Sequence, residues 1–515
     1  MSNDTIDLVP HPLIDMPRFL LASLNLEAIL QESTIHRRQE RLRKIKGGLG
    51  LGDAYGATIE RIKAQDGDKS GLGIAALMWI SHAQRPLRAD DLCQALAVEL
   101  GSMNFNFNNI PSITTLVGCC QGLITVDKEA STVRLIHFTL QEYLSTSPDI
   151  FSSPHATMAE TCLTYLNSEE VRVISADRSP DVVEMSFLKY CSLYWGVHAK
   201  MELSDRARSL ALQLLKACDG HISIKSLLEE QDRYDYWYLA ARDMGLPFTG
   251  LHWASFFGVA ELVDALIEAR CYDANAGDFL GHTPLALAAR SGHEEVVKML
   301  LQRGQVSPNK PDNRNRTPLR HAAQQGHEGV VKILLAYEEV NPHKPHSSNP
   351  HKPHSWSETP VWQAAIFEDE KTAKLLLECQ ELTPDVPDNS GRTLLSCAAL
   401  LGYERVVKVL LGREEVNPDK PDNWGRTPLS YAAGMGREEI VKILLGREEV
   451  NPEMPNNTGK TPLSYAAEYG REGVVKLLLG REDVNPHTPD CTGTTPLMCA
   501  VRAGHKKVIA QLQPH

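Results

Sequence analysis

Side chains suited to binding a protein partner recur at fixed positions of a 34-residue pattern in the second half of the chain. The residue just before the threonine that opens each copy is permanently cationic in four of seven cases, and the series is His282, Arg316, Glu358, Arg392, Arg426, Lys460 and Thr494. Large aromatic residues lie close by in the sequence: Trp356, Trp424, Tyr431 and Tyr465. Arginine, tryptophan and tyrosine are enriched at the centres of protein interfaces. The pattern therefore predicts a groove for a partner with acidic and apolar features.

An alternative explanation of the cations stays open at this stage. Asp312, Asp388 and Asp422 each lie close to one of the arginines in the sequence, so the basic side chains could simply balance local negative charge. We predict a partner-binding surface made by eight residues: Arg316, Trp356, Arg392, Trp424, Arg426, Tyr431, Lys460 and Tyr465.

Catalytic residues are not expected. The one stretch similar to a phosphate-binding loop is Gly459-Lys460-Thr461, but Met454 replaces the first glycine of that motif and Pro462 follows directly. We interpret it as a turn of the repeat. The sequence contains no nucleophile elbow and no HExxH metal motif. We therefore predict that the protein is not an enzyme and needs no cofactor.

A histidine-rich stretch raises the question of metal binding. An eight-residue tandem duplication, NPHKPHSS followed by NPHKPHS, brings four histidines close together in the sequence: His343, His346, His351 and His354. The interleaved prolines and lysines favour an extended cationic loop, and no nearby cysteine or carboxylate completes a set of ligands. We predict a duplicated surface loop and no metal site here.

All these residues are positioned by a repeat whose opening threonines are 34 residues apart, except for one interval of 42. The threonines are Thr249, Thr283, Thr317, Thr359, Thr393, Thr427, Thr461 and Thr495. In the copy that starts at Asp422, Thr427 is placed to cap a first helix, Pro428 takes its first position and Gly436 ends it. An apolar second helix follows from Ile440. A period of this length predicts a solenoid in which each copy buries its apolar face against its neighbours.

The copies resemble the ankyrin repeat. TPLALAA opens at Thr283, TPLRHAA at Thr317, and TPLSYAA at both Thr427 and Thr461. The resemblance implies a mainly α, ankyrin-repeat solenoid of about eight copies over residues 246–515, which binds proteins through its turn tips and first helices. Two copies depart from the pattern, since Leu394 replaces the proline and Glu368 replaces a turn glycine, and we expect these copies to be less regular. The polar last helix, near Val508, is expected to cap the stack.

The first half of the chain has no repeat. Helical periodicity over Leu87–Ala97 and Ser112–Cys120, followed by strand patterns at Leu123–Val126 and Val133–Phe138, predicts a winged-helix-like module at residues 70–150. A helical N-terminal segment is expected at residues 1–69 and a helical linker at 151–245.

Residues 136–144 and 85–99 resemble the winged-helix region of fungal NACHT proteins, which are receptor-like NTPases that often end in ankyrin repeats. In that family a histidine at the position of His137 reaches the bound nucleotide. The ATPase core is absent, so we expect His137 to be packed rather than to bind a nucleotide. The resemblance implies an interaction scaffold in signalling or recognition. An alternative is a nucleotide-binding or regulatory remnant of a STAND-type NTPase that works with a full-length paralogue.

Composition limits the class of partner and the location. The 515 residues carry a net charge of −12, which argues against nucleic-acid binding or transcriptional work through the winged helix. The longest apolar runs, such as residues 75–80, are too short to span a membrane, which takes about 20 residues. Eleven irregularly spaced cysteines and a start without a signal peptide predict a cytoplasmic location, with the nucleus as the alternative.

Overall fold

The structure is a computed structural model, and the residues it describes are 34–37, 51–127, 129–173, 186–217, 221, 248–269, 272–303, 305–340, 360–361, 370–378, 385 and 387–513. The chain divides into two compact units, Met1–Gly245 and Leu246–His515. The histidine-rich duplication, Trp356 and the start of the copy opened by Thr359 lie outside the described residues, as does Glu368.

The first unit is mainly helical with one small sheet. Its helices are α1 (Leu51–Lys63), α2 (Lys69–His82), α3 (Ala89–Ala97), α4 (Ile113–Cys119), α5 (Phe138–Ser145), α6 (Pro154–Asn167), α7 (Glu169–Arg172), α8 (Ser186–Met201) and α9 (Asp205–Lys216). Its strands are β1 (Leu87–Arg88), β2 (Ile124–Asp127) and β3 (Thr132–Leu135). Short 3₁₀ turns span Phe107–Asn109 and Pro148–Ile150.

The sheet confirms the predicted winged-helix arrangement and adds one strand to it. The strand order is β1-β3-β2, and both pairs are antiparallel. Leu87 of β1 pairs with Val133 of β3, and both side chains are buried. A strand of two residues has no alternating pattern to detect, so β1 could not be predicted. The helices α3 and α4 occupy the two segments in which helical periodicity was found.

Aromatic packing joins the winged helix to the helices that follow it. The ring of Trp79 on α2 lies 5.5 Å from that of Phe187 and 5.8 Å from that of Tyr190, both on α8. Tyr165 on α6 lies 5.2 Å from Phe187. All four side chains are almost fully buried. Because large aromatic groups bury much apolar area, this cluster makes α2, α6 and α8 parts of one core.

The second unit consists of helix pairs that stack on one another. The first helices are α10 (Gly250–Phe257), α12 (Pro284–Arg290), α14 (Pro318–Gln324), α17 (Leu394–Leu401), α19 (Pro428–Met435), α21 (Pro462–Glu468) and α23 (Pro496–Ala503). The second helices are α11 (Ala260–Glu268), α13 (Glu294–Gln302), α15 (Glu328–Leu335), α16 (Glu370–Glu378), α18 (Glu404–Leu411), α20 (Glu438–Leu445), α22 (Glu472–Leu479) and α24 (Lys506–Leu512). Consecutive first helices pack against each other from α10 to α14 and again from α17 to α23, as a solenoid requires.

Local sequence explains where these helices begin and end. The hydroxyl of Thr427 accepts the backbone N–H of Ser430 at 3.2 Å and caps α19, as predicted. Gly436 ends that helix at a φ of +73°, a left-handed conformation that favours glycine. Small residues such as Ala432 are completely buried, which allows neighbouring first helices to approach closely.

The copy in which Leu394 replaces proline is as regular as its neighbours. Thr393 still caps α17, and its hydroxyl accepts the backbone N–H of Ser396 at 3.2 Å. The first N–H of a helix has no partner within the helix, so a proline is favourable there but not required. The expected irregularity is therefore wrong for the described part of this copy.

Candidate functional site

An aspartate holds together five of the six described turn tips, the turns that precede an opening threonine. In the copy that contains α19, Asp422 Oδ1 accepts the backbone N–H groups of Trp424 and Arg426, each at 2.8 Å. The tip closes further because Asp422 donates its own N–H to the Arg426 carbonyl at 3.0 Å. Asp312 and Asp388 accept equivalent backbone bonds in their own copies. These aspartates are buried and therefore have a structural role.

Each arginine that precedes an opening threonine forms an ion pair with the aspartate of its own tip. The N–O distances are 2.7 Å for Arg316–Asp312, 2.8 Å for Arg392–Asp388 and 2.9 Å for Arg426–Asp422. Burial opposes ionisation of Asp312, yet hydrogen bonds from His321 and Arg316 hold the pKa of this carboxyl well below its usual range. The arginines thus balance local carboxylates, which is the alternative explanation that the sequence left open. These tips therefore present less net positive charge than the arginines alone suggest.

The Arg426 tip combines charge with aromatic area. The guanidinium lies 4.6 Å from the ring centroid of Trp424 and 4.7 Å from that of Tyr431, which is within the range of cation–π attraction. The Tyr431 hydroxyl donates to Asp422 Oδ2 at 2.6 Å, and burial raises the pKa of this tyrosine. Tyr431 is buried, whereas Trp424 is 51% exposed. Of these aromatic residues, Trp424 offers the larger free surface to a partner.

The tip before Thr461 has side chains at the same positions, but an asparagine and a lysine replace the aspartate and the arginine. Asn456 replaces the aspartate, and its Nδ2 donates to the Tyr465 hydroxyl at 2.8 Å. Lys460 forms an ion pair with Glu468 on α21 at 2.8 Å. The Lys460 ammonium lies 6.0 Å from the ring centroid of Tyr465. Lys460 therefore points along the first helix, which agrees with its interpretation as part of a turn rather than a phosphate loop.

A ladder of hydrogen bonds links consecutive tips. The backbone N–H of Asn423 donates to the Ser390 carbonyl at 3.1 Å, and that of Asn457 donates to the Trp424 carbonyl at 2.9 Å. Gly425 has a φ of +79°, and a Cβ there would lie 2.5 Å from Asn457 Oδ1. The neighbouring tips thus approach so closely that only glycine fits, and the ladder fixes the spacing of the predicted partner-binding residues.

Sequence reasoning missed a set of exposed apolar residues at the C-terminal ends of the first helices. Leu401, Met435 and Tyr469 occupy the same position of three consecutive copies and are 41%, 46% and 52% exposed. We call these three residues the apolar column. In the earlier copies the equivalent position holds Phe257, Ser291, Gln325 and Phe367, and Phe257 is buried. The residue types at this position therefore show a run of apolar side chains from Phe367 to Tyr469, but they do not show which of these side chains are exposed.

The predicted partner residues are therefore distributed as follows. Arg392, Trp424, Arg426, Tyr431, Lys460 and Tyr465 lie on three consecutive tips and first helices that also carry the apolar column. Arg316 belongs to an earlier copy, and Trp356 lies outside the described residues. Whether these residues bind a partner stays a prediction.

His137 has a local structural role at the start of α5. Its Nδ1 accepts the backbone N–H of Thr139 at 3.3 Å and lies 2.8 Å from the Thr139 hydroxyl. Phe138 beside it is 67% exposed. An imidazole nitrogen that caps a helix is engaged within the protein, which favours the packed interpretation over a nucleotide contact.

Comparisons with known proteins agree with both parts of the fold. The family model described as ankyrin repeats (three copies) matches residues 251–345, 340–422, 410–488 and 451–515, which together span more than half the chain. The model described as the winged helix domain of GPI inositol-deacylase matches residues 60–156. A crystal structure of an ankyrin repeat domain from Acinetobacter baumannii is similar at 24% identity and a TM-score of 0.33, covering 38% of this chain and 96% of that one. No curated protein matches the chain. Among the described residues, the structure has no helix that could cross a membrane.

Proposed function

The chain belongs to the ankyrin-repeat family, and on that premise we propose that it is a non-enzymatic scaffold that binds a protein partner along its turn tips and first helices. Relation to NACHT–ankyrin receptors, a signalling role and a cytoplasmic location belong to the same proposal. Every cysteine whose state the structure describes is free, as expected in a reducing compartment.

The observation that carries the proposal is the apolar column, on consecutive copies of which one also presents Trp424 at its turn tip. A column residue alone would be unremarkable, because single exposed apolar side chains are common on protein surfaces. Three at one position of consecutive copies, with the half-exposed Trp424 on the tip of one of these copies, allow a partner that lies along the stack to make several apolar contacts. Since the arginines of the same copies already face carboxylates, apolar contact is the larger source of affinity for a partner.

The test uses the full chain as bait and compares two triple variants. Leu401→Ser, Met435→Ser and Tyr469→Ser remove the apolar column. The control variant changes Leu100, Met103 and Phe107 of the first unit to serine, which are 44%, 50% and 43% exposed. We expect a partner identified with the unmodified chain, then purified, to bind the control variant normally and the column variant at least tenfold more weakly.

Equal affinity of the partner for both variants would reject the column as the binding surface. Circular dichroism of both variants checks that the stack remains folded. Reversing the charge of the arginines is a poorer experiment, because it would leave Asp388 and Asp422 without their partners and destabilise the tips.

A second candidate function is nucleotide binding by the winged-helix unit. It rests on the resemblance of residues 85–99 and 136–144 to the winged-helix region of NACHT proteins, in which a histidine at the position of His137 reaches the nucleotide. Titration of the full chain with ADP and with ATP tests it, with His137→Ala as the comparison. Absence of binding at millimolar nucleotide would reject this candidate and leave the scaffold proposal unaffected.

A further inference from the structure

Three side chains that can bind a transition metal meet between the second and third copies of the repeat. His282 and Asp312 come from consecutive turn tips, and His321 comes from α14. His321 Nε2 lies 3.0 Å from Asp312 Oδ2, and His282 Nε2 lies 3.5 Å from the same oxygen. All the possible ligand atoms lie within 4.8 Å of one another, and all three residues are buried. Among the described residues, no other such group was found.

A second carboxylate orients one of the histidines for binding. Asp278 Oδ2 lies 3.1 Å from His282 Nδ1, and both side chains are 2% exposed. An ionised carboxylate can only accept, so the proton of His282 lies on Nδ1 and the lone pair of Nε2 faces Asp312. Metal-binding histidines almost always donate their other ring N–H to a carboxylate or carbonyl in this way.

The cluster needs a cation, and in this structure Arg316 supplies it. Arg316 Nε donates to Asp312 Oδ2 at 2.7 Å, and a terminal guanidinium nitrogen lies 3.4 Å from His282 Nε2. The cluster thus contains two buried carboxylates, Asp278 and Asp312, and one arginine, so these groups carry a net charge of −1 when the imidazoles are neutral. A divalent ion in place of the guanidinium would make the cluster neutral. Because Arg316 is 16% exposed, its side chain can turn out to solvent without crossing the core.

Geometry and ligand type indicate which ions fit. Bonds of about 2.0–2.1 Å to a tetrahedral Zn²⁺ place ligand atoms roughly 3.3 Å apart. The two distances to Asp312 Oδ2, 3.0 and 3.5 Å, lie on either side of that value. Two imidazoles and one carboxylate suit Zn²⁺ and Co²⁺, whereas Mg²⁺ and Ca²⁺ prefer oxygen ligands.

We propose that His282, Asp312 and His321 form a binding site for Zn²⁺ or a chemically similar divalent ion, which displaces the guanidinium of Arg316. Binding moves the proton of the neutral His321 ring from Nε2 to Nδ1, so that Nε2 can bind the ion. The fourth position, vacated by Arg316, is open to water. The ion would join two consecutive tips and free Arg316 for the partner surface.

The test is titration of the metal-free full chain with Co²⁺, followed by visible absorption, and with Zn²⁺, followed by calorimetry. We expect His282→Ala and His321→Ala to abolish the site. Asp278→Asn should weaken the affinity by about tenfold to a hundredfold, as is typical of residues that orient a ligand. Arg316→Ala should strengthen it at least tenfold, a gain that a misfolded variant could not produce. Arg426→Ala, at the same position of a tip without histidines, is the matched control and should leave the affinity unchanged.

A second comparison separates this cluster from the histidine-rich duplication. A variant with His343, His346, His351 and His354 changed to alanine should keep the Co²⁺ absorption assigned to the cluster. The proposal is overturned if this variant loses the absorption while His282→Ala and His321→Ala keep it. It is equally overturned if neither the unmodified chain nor Arg316→Ala binds either ion.

Discussion

Replacement of Asp422 measures how strongly the carboxylate holds its turn tip. Oδ1 accepts two backbone N–H groups at 2.8 Å each, and Oδ2 accepts Arg426 Nε at 2.9 Å and the Tyr431 hydroxyl at 2.6 Å. Asp422 is 6% exposed, so water cannot replace all four bonds. At a net contribution of about 1 kcal/mol per bond, we expect Asp422→Ala to lower the free energy of unfolding by about 3–4 kcal/mol.

Asp422→Asn is the matched variant, because the next copy already carries Asn456 at this position. Asn456 accepts two backbone N–H groups of its own tip at 3.0 and 2.8 Å and donates to the Tyr465 hydroxyl. The asparagine variant should therefore keep the turn and the tyrosine contact and lose only the ion pair. The Arg426 side chain is 30% exposed, so solvent screens that pair and its loss should cost about 1 kcal/mol.

Guanidinium unfolding followed by circular dichroism gives the overall loss of stability for both variants. Because repeat stacks can open in segments, hydrogen exchange of the backbone amides of Trp424 and Arg426 gives the local loss. Faster exchange of these two amides is expected in Asp422→Ala but not in Asp422→Asn. Equal losses for the two variants, or a loss below 1 kcal/mol for alanine, would refute this account of the tip.

Three further perturbations test other parts of the chain. Gly425→Ala should lower the free energy of unfolding by about 1–2 kcal/mol, because φ is +79° and a Cβ would lie 2.5 Å from Asn457 Oδ1. Gly446→Ala is the control and should leave the free energy of unfolding unchanged in the same denaturation experiment. Thr427→Ala should cost about 1 kcal/mol and Thr427→Ser almost nothing, and equal melting temperatures of the two variants would contradict the capping role. Burial lowers the pKa of His198 to about 3, while an unfolded histidine titrates near 6.5. The unfolded chain therefore binds the extra proton first, and stability should fall as pH decreases from about 6.5 towards 3. In His198→Gln, the number of protons taken up on unfolding should fall by about one, which makes the free energy of unfolding less dependent on pH. An unchanged slope of the free energy of unfolding against pH would show that His198 is not responsible.

The repeat fold was predictable because its determinants are local. A threonine cap, a proline at the first helical position and a glycine at the turn act within one copy, and the pattern repeats them. The replacement of proline by Leu394 was over-interpreted, because the cap made by Thr393 does not depend on it. Strand β1 was not predicted because its determinant is not local. Its two residues are fixed by pairing with β3, which is distant in the sequence.

The candidate sites were only partly predictable because they depend on contacts between residues distant in sequence. The pairing of arginine with aspartate could be stated as an alternative, since the two residues lie in one tip. The meeting of His282 with His321 could not, because it requires the register of one copy on the next. The apolar column needed the same knowledge of which side chains stay exposed after stacking.

The paired arginines change where the affinity for a partner must come from. A partner that approaches the tips meets cations that already face buried aspartates, and screened pairs of this kind contribute about 0–1 kcal/mol each. Full burial of a large apolar side chain contributes about 1.5–3 kcal/mol, and Met435 and Tyr469 are about half exposed. The binding free energy from several such apolar contacts together exceeds the contribution of the arginines. On the proposed function, we therefore expect charge to orient the partner and the apolar column with Trp424 to supply most of the affinity.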